Sequence, residues 1–211
     1  MTTIRVCLIL SLMAISSLAS AQDSAQGSMK KGTKAWTELE STLREADLQW
    51  LCQGKYYKPK RQDCVDSRGK FWADQFFEIN PGVGTQTKAE MYAGQTEGAK
   101  TYKDVVPGEG PNPTEFKLMA VYGNIAMAVD HTSFKVRLNA QGQPDFEHTA
   151  PAFRSEHWFL DESGKLAVTR EVTFLKVFVK ENGTWRPAAG AAVPLPPSGT
   201  QCCALPFPPS K

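Results

Sequence analysis

Val177-Phe178-Val179-Lys180-Glu181-Asn182-Gly183-Thr184-Trp185-Arg186 is the stretch that decides the fold. Two apolar runs flank Asn-Gly, the dipeptide that best tolerates the positive φ angles of a two-residue hairpin turn, so the spacing predicts a β-hairpin. Asn182-Gly183-Thr184 is also a glycosylation sequon, but between two apolar runs it reads first as the turn. The same pattern extends in both directions. Segments 116–121, 125–138, 153–160, 166–180 and 185–195 are rich in Val, Phe and Thr, and turn signals at 122–124, 139–144, 161–164 and 181–183 separate them.

Upstream the periodicity changes. Trp36, Leu39, Leu43, Ala46 and Trp50 recur at helical spacing, with Glu38, Glu40, Arg44, Glu45 and Gln49 on the other side, which predicts an amphipathic first helix. Gly54 to Pro59 break it, and Asp63 is placed to cap a second helix carrying Val65, Phe71 and Trp72. A short strand at 76–79 follows, closed by Asn80-Pro81-Gly82. Thr87-Lys88-Ala89-Glu90 has the form of a capping box opening a third helix. The Gly- and Pro-rich stretch 98–113 reads as a loop. Helices first and antiparallel strands after them make an α+β domain in which the helices cover one face of a curved sheet.

The chain of 211 residues has a formal net charge of +2, which calls for neither a nucleic acid nor an acidic surface as partner. Arg5, the apolar stretch 6–15 and Ala19-Ser20-Ala21 form the pattern of a cleavable signal peptide over 1–21. The stretch falls short of the roughly 20 residues that span a bilayer, so no membrane association is expected after cleavage. The expectation is an exported protein of the bacterial periplasm or extracellular space. It has a flexible leader at 22–34, one domain at 35–196 and a Pro-rich, Cys-containing tail at 197–211.

Outside the leader segment lie Cys52, Cys64, Cys202 and Cys203, and export favours disulfides. Three pairings are open. Cys52 with Cys64 is preferred, because it ties the end of one helix to the start of the next. Without a C-x-x-C pair, or a His at ligand spacing from any Cys, no metal site is expected. Nor is any cofactor: the chain has no nucleophile elbow, H-E-x-x-H motif, phosphate loop or dinucleotide fingerprint.

Three stretches resemble the nuclear transport factor 2-like superfamily, in its SnoaL-like and ketosteroid-isomerase-like branch, whose members are often of unknown function. Phe71-Trp72-Ala73-Asp74-Gln75-Phe76-Phe77, with Thr87-Lys88-Ala89-Glu90, is similar to the family's second helix, first hairpin and third helix. Val121-Tyr122-Gly123-Asn124-Ile125-Ala126-Met127-Ala128-Val129 resembles its strand-turn-strand, and Val177 to Arg186 its closing hairpin. The resemblance implies a cone-shaped α+β barrel with a pocket between the first helix and a strongly bent sheet. It also implies homodimers packed through the sheet.

Isomerase-type members use a pocket carboxylate as base, with donors that stabilise an oxyanion. Asp130, His131 and His157 are the catalytic candidates here. Side chains alternate along a strand, so only one of Asp130 and His131 can face the cone, and the small Ala126 and Ala128 beside Asp130 favour the aspartate. Trp36, Trp50, Trp72, Tyr122 and Glu171 are the candidates for lining the pocket. No tyrosine precedes Tyr56 on the first helix, which removes the usual helix-borne donor. Three functions follow: an exported domain binding a small apolar or amphipathic molecule, an acid-base enzyme, or a secreted dimerisation or interaction module.

Overall fold

The structure is a computed structural model, and it describes residues 27–80, 84–143, 159–160 and 163–194. Helix α1 (Lys34–Leu51) starts at Thr33, whose hydroxyl accepts from Trp36 N at 3.2 Å. It buries Trp36, Leu43, Ala46, Asp47 and Trp50 in a single stripe. The chain leaves it at Cys52 in the left-handed region (φ 57°), makes a short 3-10 turn (Gly54–Tyr56) and enters α2 (Arg61–Phe71). Cys52 and Cys64 are disulfide-bonded, with Cα atoms 5.8 Å apart, which pins the end of α1 to the first turn of α2. Asp63 lies inside that first turn rather than at the cap, where it still faces the positive end of the helix dipole.

Arg186 fixes the other end of α2. Its guanidinium donates to the carbonyls of Lys70, Phe71 and Trp72 at 2.9, 2.8 and 2.6 Å, satisfying groups that a helix terminus leaves open. A β-hairpin of β2 (Phe77–Asn80) and β3 (Gly84–Thr87) precedes α3 (Lys88–Thr101). The capping box predicted there is present, with Thr87 N donating to Glu90 Oε2 at 2.8 Å.

The rest of the domain is a sheet that holds β1 (Gly27–Ser28), β4 (Gly110–Tyr122), β5 (Ile125–Arg137), β6 (Phe159–Leu160), β7 (Leu166–Glu181) and β8 (Thr184–Pro194). Its order is β1-β4-β5-β7-β8-β2-β3, with β6 beside β7. Among the described residues, three α-helices pack on this large curled sheet, which does not close. The Asn182-Gly183 hairpin is present, both residues having positive φ, and Glu181 pairs with Thr184.

Three expectations are corrected. Part of the leader is a strand, since Gly27 and Ser28 pair with Val121 and Ala120. The sheet is not wholly antiparallel, because β2 joins the edge of β8 in parallel. The loop expected at 98–113 is shorter, for α3 continues through Gly98 and β4 begins at Gly110. Among the described residues that end of β4 pairs only with β5, so Pro111 and Pro113 interrupt no second ladder there. Of the strand expected at 153–160, Phe159–Leu160 is a strand paired with β7, and 153–158 lie outside the described residues.

The core lies between α1 and the concave face. Trp50 meets Phe76, Phe174 and Phe178 edge-on at 5.6, 5.8 and 6.1 Å, while Trp72 stacks on Phe76 at 4.5 Å. Gly190 makes this possible. A Cβ there would sit 2.8 Å from Phe174 and 2.9 Å from Trp50, so only a glycine lets the indole lie on β8.

Candidate functional site

Two polar features occupy the concave side. The first is a charged cluster under α1. Along β7 the inward positions are Val172, Phe174, Lys176 and Phe178, all buried, so strand alternation alone drives the Lys176 ammonium into the core. It donates to Asp47 Oδ1 at 2.7 Å and Asp130 Oδ2 at 2.9 Å. Arg44, lying 3.9 Å over the Phe116 ring, reaches the same two carboxylates at 3.3 and 3.7 Å. Thr132 donates to Asp130 Oδ1 at 3.1 Å. Burial raises the Asp130 carboxyl pKa above its ordinary value, opposed by the Lys176 charge. Two cations meet two buried carboxylates, and the partly exposed Glu40 stands 4.0 Å from Arg44 at the edge of the cluster.

The second feature is a cavity of about 400 Å³ between the helices and the curled sheet, within the range of small-molecule sites, roughly 300–1,000 Å³. Trp50 and Leu51 of α1, Val65 and Arg68 of α2, and Met91, Gly94, Gln95 and Gly98 of α3 form one side. Glu78, Asn80 and Gln86 of the first hairpin, and Phe134 to Arg137 of β5, form the other. Strand β2 is inverted relative to an ordinary amphipathic strand. Glu78 and Asn80 point inward and are buried, while Phe77 and Ile79 are exposed.

The wall is cationic and incompletely paired. Arg61 and Arg137 share one carboxylate, Glu109, at 2.6 and 2.9 Å. Burial, and then the Arg61 charge, lowers the Arg68 guanidinium to about 10, with Glu78 opposing. Burial also raises the Glu78 carboxyl pKa, against the pull of Asn80, Arg68 and Lys176. Among the described residues, the buried side-chain atoms without a hydrogen-bond partner are Arg68 Nε, Trp72 Nε1, Asn80 Oδ1, Gln95 Oε1 and Arg137 Nη2. All but the Trp72 atom belong to cavity-lining residues.

The residues singled out from sequence are scattered. Asp130 does turn inward, but it sits in the charged cluster and not on the cavity wall. His131 lies on the exposed outer face. Of the five pocket candidates only Trp50 lines the cavity. Trp36 and Trp72 are packed in the core, and Tyr122 and Glu171 are exposed because their strand positions face outward. His157, Cys202 and Cys203 lie outside the described residues, as does the signal segment. Asp47, Lys176, Arg68 and Glu78 were missed. Asp47 falls on the apolar stripe four residues after Leu43, and Lys176 falls between Phe174 and Phe178, so strict periodicity was a usable signal for both.

No known family's sequence profile matches this chain, and no curated protein does. Among solved structures, a function-unknown protein from Mycobacterium tuberculosis is similar at 12% identity and a TM-score of 0.52, covering 81% of this chain and 84% of its own. A nuclear transport factor 2-like protein from Cytophaga hutchinsonii matches at 16% identity and a TM-score of 0.44, with 79% and 100% covered. A ketosteroid isomerase-like protein from Erwinia carotovora atroseptica matches at 12% and 0.45, with 76% and 98% covered. At such identities the likeness is one of fold and leaves chemistry to the site. In fold, three helices on a curled sheet, the chain is similar to these solved structures.

Proposed function

We propose that this protein is an exported domain that binds a small amphipathic molecule in the cavity between its helices and its curled sheet. The observation that carries this reading is the composition of the wall, apolar at Trp50, Val65, Met91 and Phe134 and polar at side-chain atoms that have no partner among the described residues. Buried polar atoms are costly when unpaired, and a ligand that pairs with them while covering the apolar floor recovers that cost. The signal-like segment at 1–21 and the Cys52–Cys64 bond support export. Leu118, Ile125, Leu175 and Val193, exposed on the outer sheet face, support the homodimer implied by the family resemblance.

Gly98 provides the test. It lines the cavity on α3, and nothing lies within 4 Å of the position its Cβ would take. Gly98→Leu is expected to preserve the melting temperature while filling the cavity. Native mass spectrometry of the purified protein against a metabolite pool should detect a bound small molecule in the wild type and lose it in the variant. Equal uptake by both proteins rejects the cavity as the site.

A second reading, acid-base catalysis, is favoured by one feature. Glu78 is a buried carboxyl on the cavity wall with a raised pKa, as a general acid or base requires, whereas Asp130 is held by Lys176 away from the cavity. Under this reading Glu78→Gln abolishes turnover of a bound ketone or ester while leaving its binding intact. Unchanged turnover rejects it.

A further inference from the structure

The cavity wall carries more positive charge than it neutralises. Arg61 and Arg137 both lean on Glu109, so one carboxylate serves two guanidiniums at 2.6 and 2.9 Å. Among the described residues Arg68 forms no ion pair within 4.0 Å, and its Nε is buried without a partner, as is Nη2 of Arg137. Its neighbour Glu78 is a weak counter-ion, because burial favours the neutral acid. The same shortage shows in Arg68 itself, whose guanidinium is held at about 10 by burial and by the nearby Arg61. A guanidinium shielded from water and left without an anion is an unfavourable arrangement that a ligand can relieve. Its planar fork matches a carboxylate in particular.

We propose that the cavity takes an amphipathic monoanion, a carboxylate on an apolar body, with the head between Arg68 and Arg137 and the body against Trp50 and Val65. This rests on the cavity being the ligand site. Asn80, whose Oδ1 is buried and unpartnered, adds an acceptor for a hydroxyl on the same ligand. Neutral and cationic analogues of the same shape are disfavoured, since neither supplies the missing negative charge.

Calorimetric titration of the full chain with phenylbutanoate, phenylbutanol and phenylbutylamine separates the two claims. The carboxylate is expected to bind once per chain, at least tenfold tighter than the alcohol, with the amine weakest. Arg68→Met should weaken the carboxylate by about 10- to 100-fold, as loss of a charge-assisted hydrogen bond does, and leave the alcohol unchanged. Arg68→Lys keeps the charge without the fork and should fall between. Melting curves of both variants verify that the fold is retained, and Arg68→Lys carries the comparison if Arg68→Met does not fold. If the alcohol binds as tightly as the carboxylate, or a folded Arg68 variant binds the carboxylate unchanged, the anion proposal is overturned while the cavity reading stands. If none of the three binds, both fall.

Discussion

The ammonium of Lys176 donates to the carboxylate of Asp47 at 2.7 Å, across 129 residues of chain and with both side chains shielded from water. This contact locks α1 onto the middle of the sheet, and Asp130 completes it from β5 at 2.9 Å. Such a pair adds little net stability over an apolar one, but breaking it leaves an uncompensated buried charge. Lys176→Met is therefore expected to cost about 3–5 kcal/mol in urea unfolding, because Asp47 and Asp130 then share only Arg44. Adding Asp130→Asn to that variant should recover part of the loss. A double variant no more stable than the single one would show that the two charges do not oppose each other.

Glu78 makes stability depend on pH in a sense opposite to that of a salt-bridged carboxylate. Burial lifts its pKa above the ordinary 4.5, so the folded protein holds this proton more tightly than the unfolded chain. Its contribution favours folding at low pH and turns unfavourable as pH rises from 4.5 through the raised value. Glu78→Gln removes this dependence. Denaturant midpoints measured from about pH 4 to 8 should show the variant gaining on the wild type as pH rises, and a constant difference would contradict the burial of this carboxyl.

Replacing glycine by alanine in a regular strand ordinarily stabilises a protein by about 0.4–1 kcal/mol through the unfolded chain. At Gly190 the sign is reversed. The new methyl would lie 2.8 Å from Phe174 and 2.9 Å from Trp50, two buried rings set edge to face. Gly190→Ala should cost about 1–3 kcal/mol by overpacking and should perturb tryptophan emission as Trp50 moves. A neutral or stabilising result would show that the indole has room to shift.

The Cys52–Cys64 bond closes a short loop, with a sequence separation of 12, and the chain-entropy cost it removes from the unfolded state amounts to about 3 kcal/mol. The double variant Cys52→Ser, Cys64→Ser should melt roughly 6–12 °C lower. A reductant should lower the wild-type melting temperature by a similar amount and leave the variant unchanged.

Much of the fold was legible in the sequence because its signals are local. The Asn182-Gly183 turn, the Thr87–Glu90 capping box and the Trp36-to-Trp50 stripe each depend on a few neighbouring residues, and each is found where it was read. The leader strand at Gly27–Ser28 was not legible, since two residues pair only because Val121 and Ala120 offer an edge. The site was less legible still. Tyr122 and Glu171 looked suitable by residue type, yet the register of β4 and β7 sets them outward. No local pattern singles out Glu78 and Arg68, yet they share a cavity wall.

The α+β class, the order of helices before strands and the hairpin that ends the domain were therefore determined by the sequence alone, through periodicity and turn chemistry. Only the tertiary structure decided which charges are buried together. Lys176, Asp47 and Asp130 come from three separate elements, and the guanidiniums of Arg61 and Arg68 from α2 and of Arg137 from β5 share one wall only in the folded chain. Burial and counter-charge are properties of the assembled sheet and helices, so no local pattern encodes them.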